Sequence, residues 1–277
     1  MHFFQIICSG FYTSRLNGQI IQLMNKFLKV LQYCLSPVLN VRRTIVGFSQ
    51  YPHYFVDWMR YRYLWGSDQA PLIDIHPCLF DRTVATSFDS HYTYLNAWAF
   101  RRILGENPDK HIDIGSQVSF IATLSSILPV TFIDLRPIDI NLSGLTAQKG
   151  SILKIPYSDQ EIVSLSSLHV IEHVGLGRYG DPLDMEGSQK AIAELSRVLA
   201  PGGKLYIGVP VGKPKTCFNA HRVFDPVKVI QWFAEYGLTM ENFSCVFDNG
   251  DYSENTSPSE LMEEDYACGM YQFTRMI

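Results

Sequence analysis

The sequence predicts a doubly wound α/β domain, a mostly parallel sheet with helices on both faces, preceded by a helical N-terminal extension. Three observations carry this expectation. Over residues 162–210 a β-rich apolar run is followed by a stretch with Ile192, Leu195, Val198 and Leu199 at helical spacing. A second apolar run over 205–209 follows. Strand, crossover helix and strand form a βαβ unit, which builds parallel sheets covered by helices. Polar residues also stand at the carboxyl ends of the strands, where open α/β sheets bind their ligands.

Each element has its own signal. Residues 1 to about 75 have a helical pattern, including the aromatic segment around Tyr51 to Trp65, and Pro71 and Pro77 mark irregular chain. Ser90 is placed to cap a helix running through Leu104, ended by Gly105 and Pro108. From His111 the pattern alternates: strand 111–114, helix about 118–127, strand 130–135 and a short strand near 145–149. Strand 162–168, helix about 185–199, strand 204–209 and helix about 226–236 follow. Pro201-Gly202-Gly203 stops the crossover helix, and the final strands are expected at Phe243–Phe247 and Met270–Thr274. The extension is assigned residues 1–84 and the α/β domain residues 85–277.

Bulk properties narrow the function. With 47% hydrophobic and 18% charged residues the composition is that of a globular protein, and a net charge of −4 argues against binding nucleic acid through its phosphates. The six cysteines, Cys8, Cys34, Cys78, Cys217, Cys245 and Cys268, are scattered with no C-x-x-C pair. That spacing predicts no metal site and no disulfide framework, and points to a reduced, cytoplasmic compartment. Ile20, Leu23, Met24, Phe27, Leu28 and Leu31 share one face of an amphipathic helix over roughly 18–35. The favoured reading packs that face on the main domain, and docking on a membrane surface is the alternative. A spanning helix is not expected, because no uncharged run is long enough.

The chemistry-bearing residues lie at the strand ends. Asp113-Ile114-Gly115 closes the first strand before a helix, and Asp134 closes the second about twenty residues later. An acidic residue there suits a bidentate hydrogen bond to a ribose diol, so the pair points to a ligand containing a nucleoside. Glu172-His173 ends the fourth strand, and imidazole is suited to proton transfer near neutral pH. The Gly-rich insert over 175–184 carries Arg178, Tyr179 and Asp181, either presented to a substrate or held in a structural loop with Arg178 and Asp181 paired. Asn219, His221 and Arg222 follow the fifth strand, and Arg178 or Arg222 suits a carboxylate or phosphate. His91, Tyr92 and Tyr94 precede the first strand as candidate lid residues.

In this order the motifs resemble the class I S-adenosylmethionine-dependent methyltransferases, especially those acting on small molecules. The resemblance runs from about Ser90 to the C-terminus and rests on DIGS (113–116), Asp134, GSILKIPY (150–157), VIEH (170–173), RVLAPGG (197–203) and HRVFDP (221–226). Together with EHVGLGRYGDPLD and FNAHR, these motifs also resemble a small methyltransferase-like group with no settled substrate. The resemblance implies S-adenosylmethionine as cofactor, with Asp113, Gly115 and Ser116 at its methionine end and Asp134 at the ribose. Gly150 and Ser151 would border the adenine, and His169 would also lie against the cofactor. It implies His173 and His221 as catalytic candidates. Glu172, Arg178, Tyr179, Asp181, Asn219 and Arg222 would face a small, sugar-like acceptor. Gln117 and Ser119 stand where the family's loop has further glycines, and Ser151 where it often has aspartate. These departures motivate the alternative of a non-catalytic binding or scaffold protein with the same fold. A nicotinamide-dependent oxidoreductase is a weaker third reading, since the EH and RVLAPGG elements have no place in it.

Overall fold

The computed structural model describes residues 21–25, 27–31, 33–38, 40–66, 70–254 and 256–276. The chain divides into two compact units, Met1–Ser87 and Phe88–Ile277. Of the helix expected over roughly 18–35, residues 21–25, 27–31 and 33–35 are helical, while 18–20, 26 and 32 lie outside the described residues. The first unit's long helix α1 (Val41–Trp65) is capped by the Asn40 side chain, which accepts from the Arg43 N–H. Among the described residues no helix is long and apolar enough to cross a membrane.

The second unit is built on an eight-stranded sheet. Its strands are β1 (His111–Ile114), β2 (Val130–Asp134), β3 (Leu145–Lys149), β4 (Ile162–Leu168), β5 (Leu199–Val211), β8 (Leu238–Val246), β9 (Tyr252–Ser253) and β10 (Ala267–Arg275). The order is β3-β2-β1-β4-β5-β10-β8-β9. The first five strands are parallel, and β10 inserts antiparallel between β5 and β8. The sheet reverses direction of growth beside β1, so the loops after β1 and β4 open a crevice at their carboxyl ends. A separate hairpin joins β6 (Lys215–Cys217) to β7 (His221–Val223).

Helices cover both faces, as a parallel sheet buried on two sides requires. On one face α2 (Ser90–Glu106) and α3 (Val118–Leu124) pack with Trp98, Phe120, Phe132, Tyr206 and Met270. On the other, α4 (Gly187–Val198) and α5 (Pro226–Ala234) pack Ile192, Leu195, Val229 and Phe233 against Leu165, Leu205 and Tyr271. The N-cap of α2 is Asp89, whose side chain accepts from the Tyr92 N–H, rather than the expected Ser90. β5 is longer than expected because its chain is already extended at Leu199, before Pro201-Gly202-Gly203.

Candidate functional site

The first cavity forms where β1 turns into α3. Gly115 sits at φ 72°, and a Cβ there would stand 3.1 Å from Val170 Cγ1, so glycine alone fits this turn. Asp113, fully buried, ties the turn from beneath. Its carboxylate accepts from the Ser116 N–H at 3.0 Å, from the Ser116 hydroxyl at 2.6 Å and from the Ser166 hydroxyl. The Ser116 oxygen in turn accepts from the Leu168 N–H at 2.9 Å, fastening the loop to β4. Burial raises the Asp113 pKa to about 6 against the pull of these donors.

The same network orders His111, whose ring nitrogens both lie 2.8 Å from serine hydroxyls, Nδ1 from Ser164 and Nε2 from Ser166. The Ser166 hydrogen is committed to Asp113, so Ser166 accepts from His111 Nε2–H, leaving Nδ1 to accept from Ser164. Burial lowers the His111 pKa to about 3, which keeps the ring neutral.

Asp134 ends β2 at the rim, its Oδ1 accepting from the Arg136 N–H at 2.7 Å. Gly115, Asp134, Gly150 and Ser151 line a cavity of about 420 Å³, in the range of small-molecule sites. Its other wall comes from the Gly-rich insert through Tyr179, Gly180, Asp181 and Pro182, and Arg136 lies over the Tyr179 ring at 4.4 Å.

A second cavity, of about 620 Å³, adjoins the first and shares His169 and His173 with it. Asp89, His91, Tyr92, Glu172, Arg178, Asn219, His221 and Tyr266 complete its lining. His169 has left-handed backbone, φ 56°, and is fixed by its N–H donating to Gly208 O at 2.8 Å. Its Nδ1 lies 2.9 Å from Glu172 Oε1, and its Nε2 lies 3.6 Å from Cys268 Sγ. Burial opposes charge on this ring, but Cys268 and Glu172 outweigh it and hold its pKa above the ordinary histidine value. Glu172 is 1% exposed, and its Oε2 is buried without a hydrogen-bond partner among the described residues. His173 Nδ1–H donates to Ala220 O at 2.5 Å, which leaves Nε2 unprotonated, 3.7 Å from Glu172 Oε1. Burial lowers the pKa of both His173 and His221, so both rings are free to accept a proton at neutral pH.

The sequence-derived residues therefore separate into groups. Gly115, Asp134, Gly150, Ser151, Tyr179 and Asp181 line the first cavity. Glu172, Arg178, Asn219 and His221 line the second, while His169 and His173 line both. Asp113, Ser116 and Arg222 line neither. Arg222 instead clamps the insert, donating to Val174 O at 2.6 Å, Ser188 Oγ at 3.1 Å and Asp184 O at 3.2 Å. Asp181 and Arg178 take separate partners: Asp181 accepts from the Gly175 and Tyr179 N–H groups, and Arg178 donates to Ala220 O. Tyr179 and Asp181 thus stand in the same cavity as Asp134. Gln117 and Ser119 lie outside both cavities, and the Gln117 side chain accepts from Asn96 Nδ2 at 3.0 Å. Asp89 and Arg136 are not among the sequence-derived site residues although each lies within two residues of one, whereas Tyr266 and Cys268 stand just before and just inside β10, far from the motifs.

The solved structures similar to this fold include a 4+2 cyclase and proteins described as methyltransferases, all at low identity. The 4+2 cyclase SpnF superposes with a TM-score of 0.54 over 71% of this chain and 86% of its own, at 11% identity. The N-methyltransferase NodS from Bradyrhizobium japonicum, in complex with S-adenosyl-L-homocysteine, aligns at 20% identity over 66% of this chain and 86% of its own, with a TM-score of 0.47. A family model described as a Caenorhabditis protein of unknown function, DUF268, matches residues 156–261. No curated protein matches the sequence. At such identity the likeness to SpnF establishes the fold, and the reaction has to be argued from the site.

Proposed function

We propose that the protein is an S-adenosylmethionine-dependent methyltransferase acting on a small, polar, sugar-like acceptor in the cytoplasm. One observation carries the reading: a cavity bounded by Gly115 and the Asp134 carboxylate shares His169 and His173 with a second, polar cavity. The residues present fit the cofactor. Gly115 leaves the room a side chain would fill, and Asp134 stands at the rim where a ribose diol would be held. Bound there, the cofactor supplies an activated methyl group. Gly150 and Ser151 would border its base, although the Ser151 Oγ already accepts from the Leu153 N–H at 3.2 Å. Asp113 and Ser116 act one layer down, holding the loop rather than touching the ligand.

Asp89, Tyr92, Asn219 and Tyr266 give the second cavity hydrogen-bonding groups for an acceptor, and Arg178 adds a cation. His173, which lines both cavities, is positioned to remove the acceptor's proton, since its Nδ1–H is committed to Ala220 O and its Nε2 is left free to accept; His221 is the second candidate. The non-catalytic alternative rests on Gln117, Ser119 and Ser151; the first two lie outside both cavities, and Ser151 lines the first.

The test is thermal stabilisation by S-adenosylmethionine or S-adenosylhomocysteine. A ligand at a hundred times its Kd adds about 2.7 kcal/mol, and Asp134→Ala should abolish the shift while staying folded. Folded wild-type protein that shows no shift at millimolar ligand overturns the assignment.

A further inference from the structure

We propose that His91, His169 and Cys268 form a zinc site whose open coordination position faces the second cavity. The three residues come from the start of α2, the turn after β4 and the start of β10, and their ligand atoms all lie within 4.8 Å of one another. A tetrahedral zinc with bonds of about 2.3 Å to sulfur and about 2.0 Å to nitrogen holds those two atoms about 3.5 Å apart. His169 Nε2 and Cys268 Sγ stand 3.6 Å apart.

The surroundings match as well as the ligands. His169 points its other nitrogen, Nδ1, at Glu172 Oε1 at 2.9 Å, the carboxylate–histidine arrangement that orients metal-bound imidazoles. The left-handed backbone at His169 is what holds the ring between Glu172 and Cys268, and such strained backbone persists only where its surroundings demand it. Glu172 is itself 1% exposed, so its carboxylate is held in place behind the His169 ring. One soft thiolate and two imidazoles are a donor set suited to zinc, and three protein ligands leave a fourth position open.

His91 and His169 line the second cavity, so the fourth position opens onto it. An acceptor hydroxyl or thiol bound there would lose its proton more easily. That consequence rests on the methyl-transfer reading; the metal site does not.

Elemental analysis of the full chain, purified without chelators or a polyhistidine tag, should find about one zinc per molecule. Chelator-stripped protein titrated with cobalt(II) should develop a thiolate-to-cobalt charge-transfer band in the near ultraviolet. The band should vanish in Cys268→Ser and survive in Cys245→Ser, with folding of each variant checked by circular dichroism. Glu172→Gln should weaken cobalt binding by roughly 10–100-fold while keeping the band. Folded wild-type protein with neither zinc nor the band overturns the site, as does a band that persists in Cys268→Ser. These readouts are independent of S-adenosylmethionine binding, so failure of one reading leaves the other standing.

Discussion

Ser166 gives its hydrogen to Asp113 and receives one from His111, and through it two buried titrating groups face each other inside β1 and β4. Their effects on stability have opposite signs. His111 titrates near 3 when folded and near 6.5 when unfolded, so as pH falls from 6.5 the unfolded chain takes up a proton the folded chain refuses, and stability is lost. Asp113 titrates near 6 when folded and near 3.8 when unfolded, so over that window the folded chain takes up the extra proton and stability is gained. Between about pH 6 and pH 4 the two contributions cancel. His111→Gln removes one of them. Relative to wild type its stability should climb by about 3 kcal/mol as pH drops across that range, at about 1.4 kcal/mol per pH unit. Urea unfolding midpoints that run parallel for the two proteins would sink this account, because all other carboxylates cancel in the difference.

Among the elements, the insert between β4 and α4 depends most on single residues. Gly175 has φ 80°, and a Cβ there would meet Asp184 O at 2.1 Å. The loop closes through Asp184 N–H to Gly175 O at 3.0 Å, Gly175 N–H to Asp181 at 2.7 Å, and the Arg222 clamp. Gly175→Ala combines a positive-φ penalty of roughly 1–3 kcal/mol with a backbone clash. It should lower the unfolding midpoint and also weaken S-adenosylhomocysteine binding, because Tyr179 to Pro182 wall the first cavity. Unchanged nucleoside affinity in that variant, measured by calorimetry, would detach the insert from the site. The strands were the most legible elements in the sequence: runs such as Val130–Asp134 are apolar and bounded by turn residues. The β6–β7 hairpin was not, since Lys215–Cys217 and His221–Val223 are three residues each and mostly polar. It nonetheless delivers Asn219 and His221 to the second cavity.

For the whole molecule, both buried core clusters lie within Phe88–Ile277. A chain of residues 88–277 should therefore fold alone with a single cooperative transition and keep nucleoside binding. Aggregation of that fragment, or a loss of binding, would show that residues 1–87 complete the domain. Gly115 and Asp134 were legible because strand ends mark ligand crevices in this class of fold, whatever the ligand. The His91, His169 and Cys268 grouping was not, because tertiary folding brings together residues from three distant elements and leaves no short-range spacing to find.

His169 and His173 each form part of both cavities, so the two chambers have a common wall. A molecule that shifts either ring from one side changes the shape presented on the other, and such coupling is reciprocal. Whatever factor the first occupant contributes to the affinity of the second, the second returns to the first. His169 and His173 are therefore the residues through which any such coupling between the two cavities would pass.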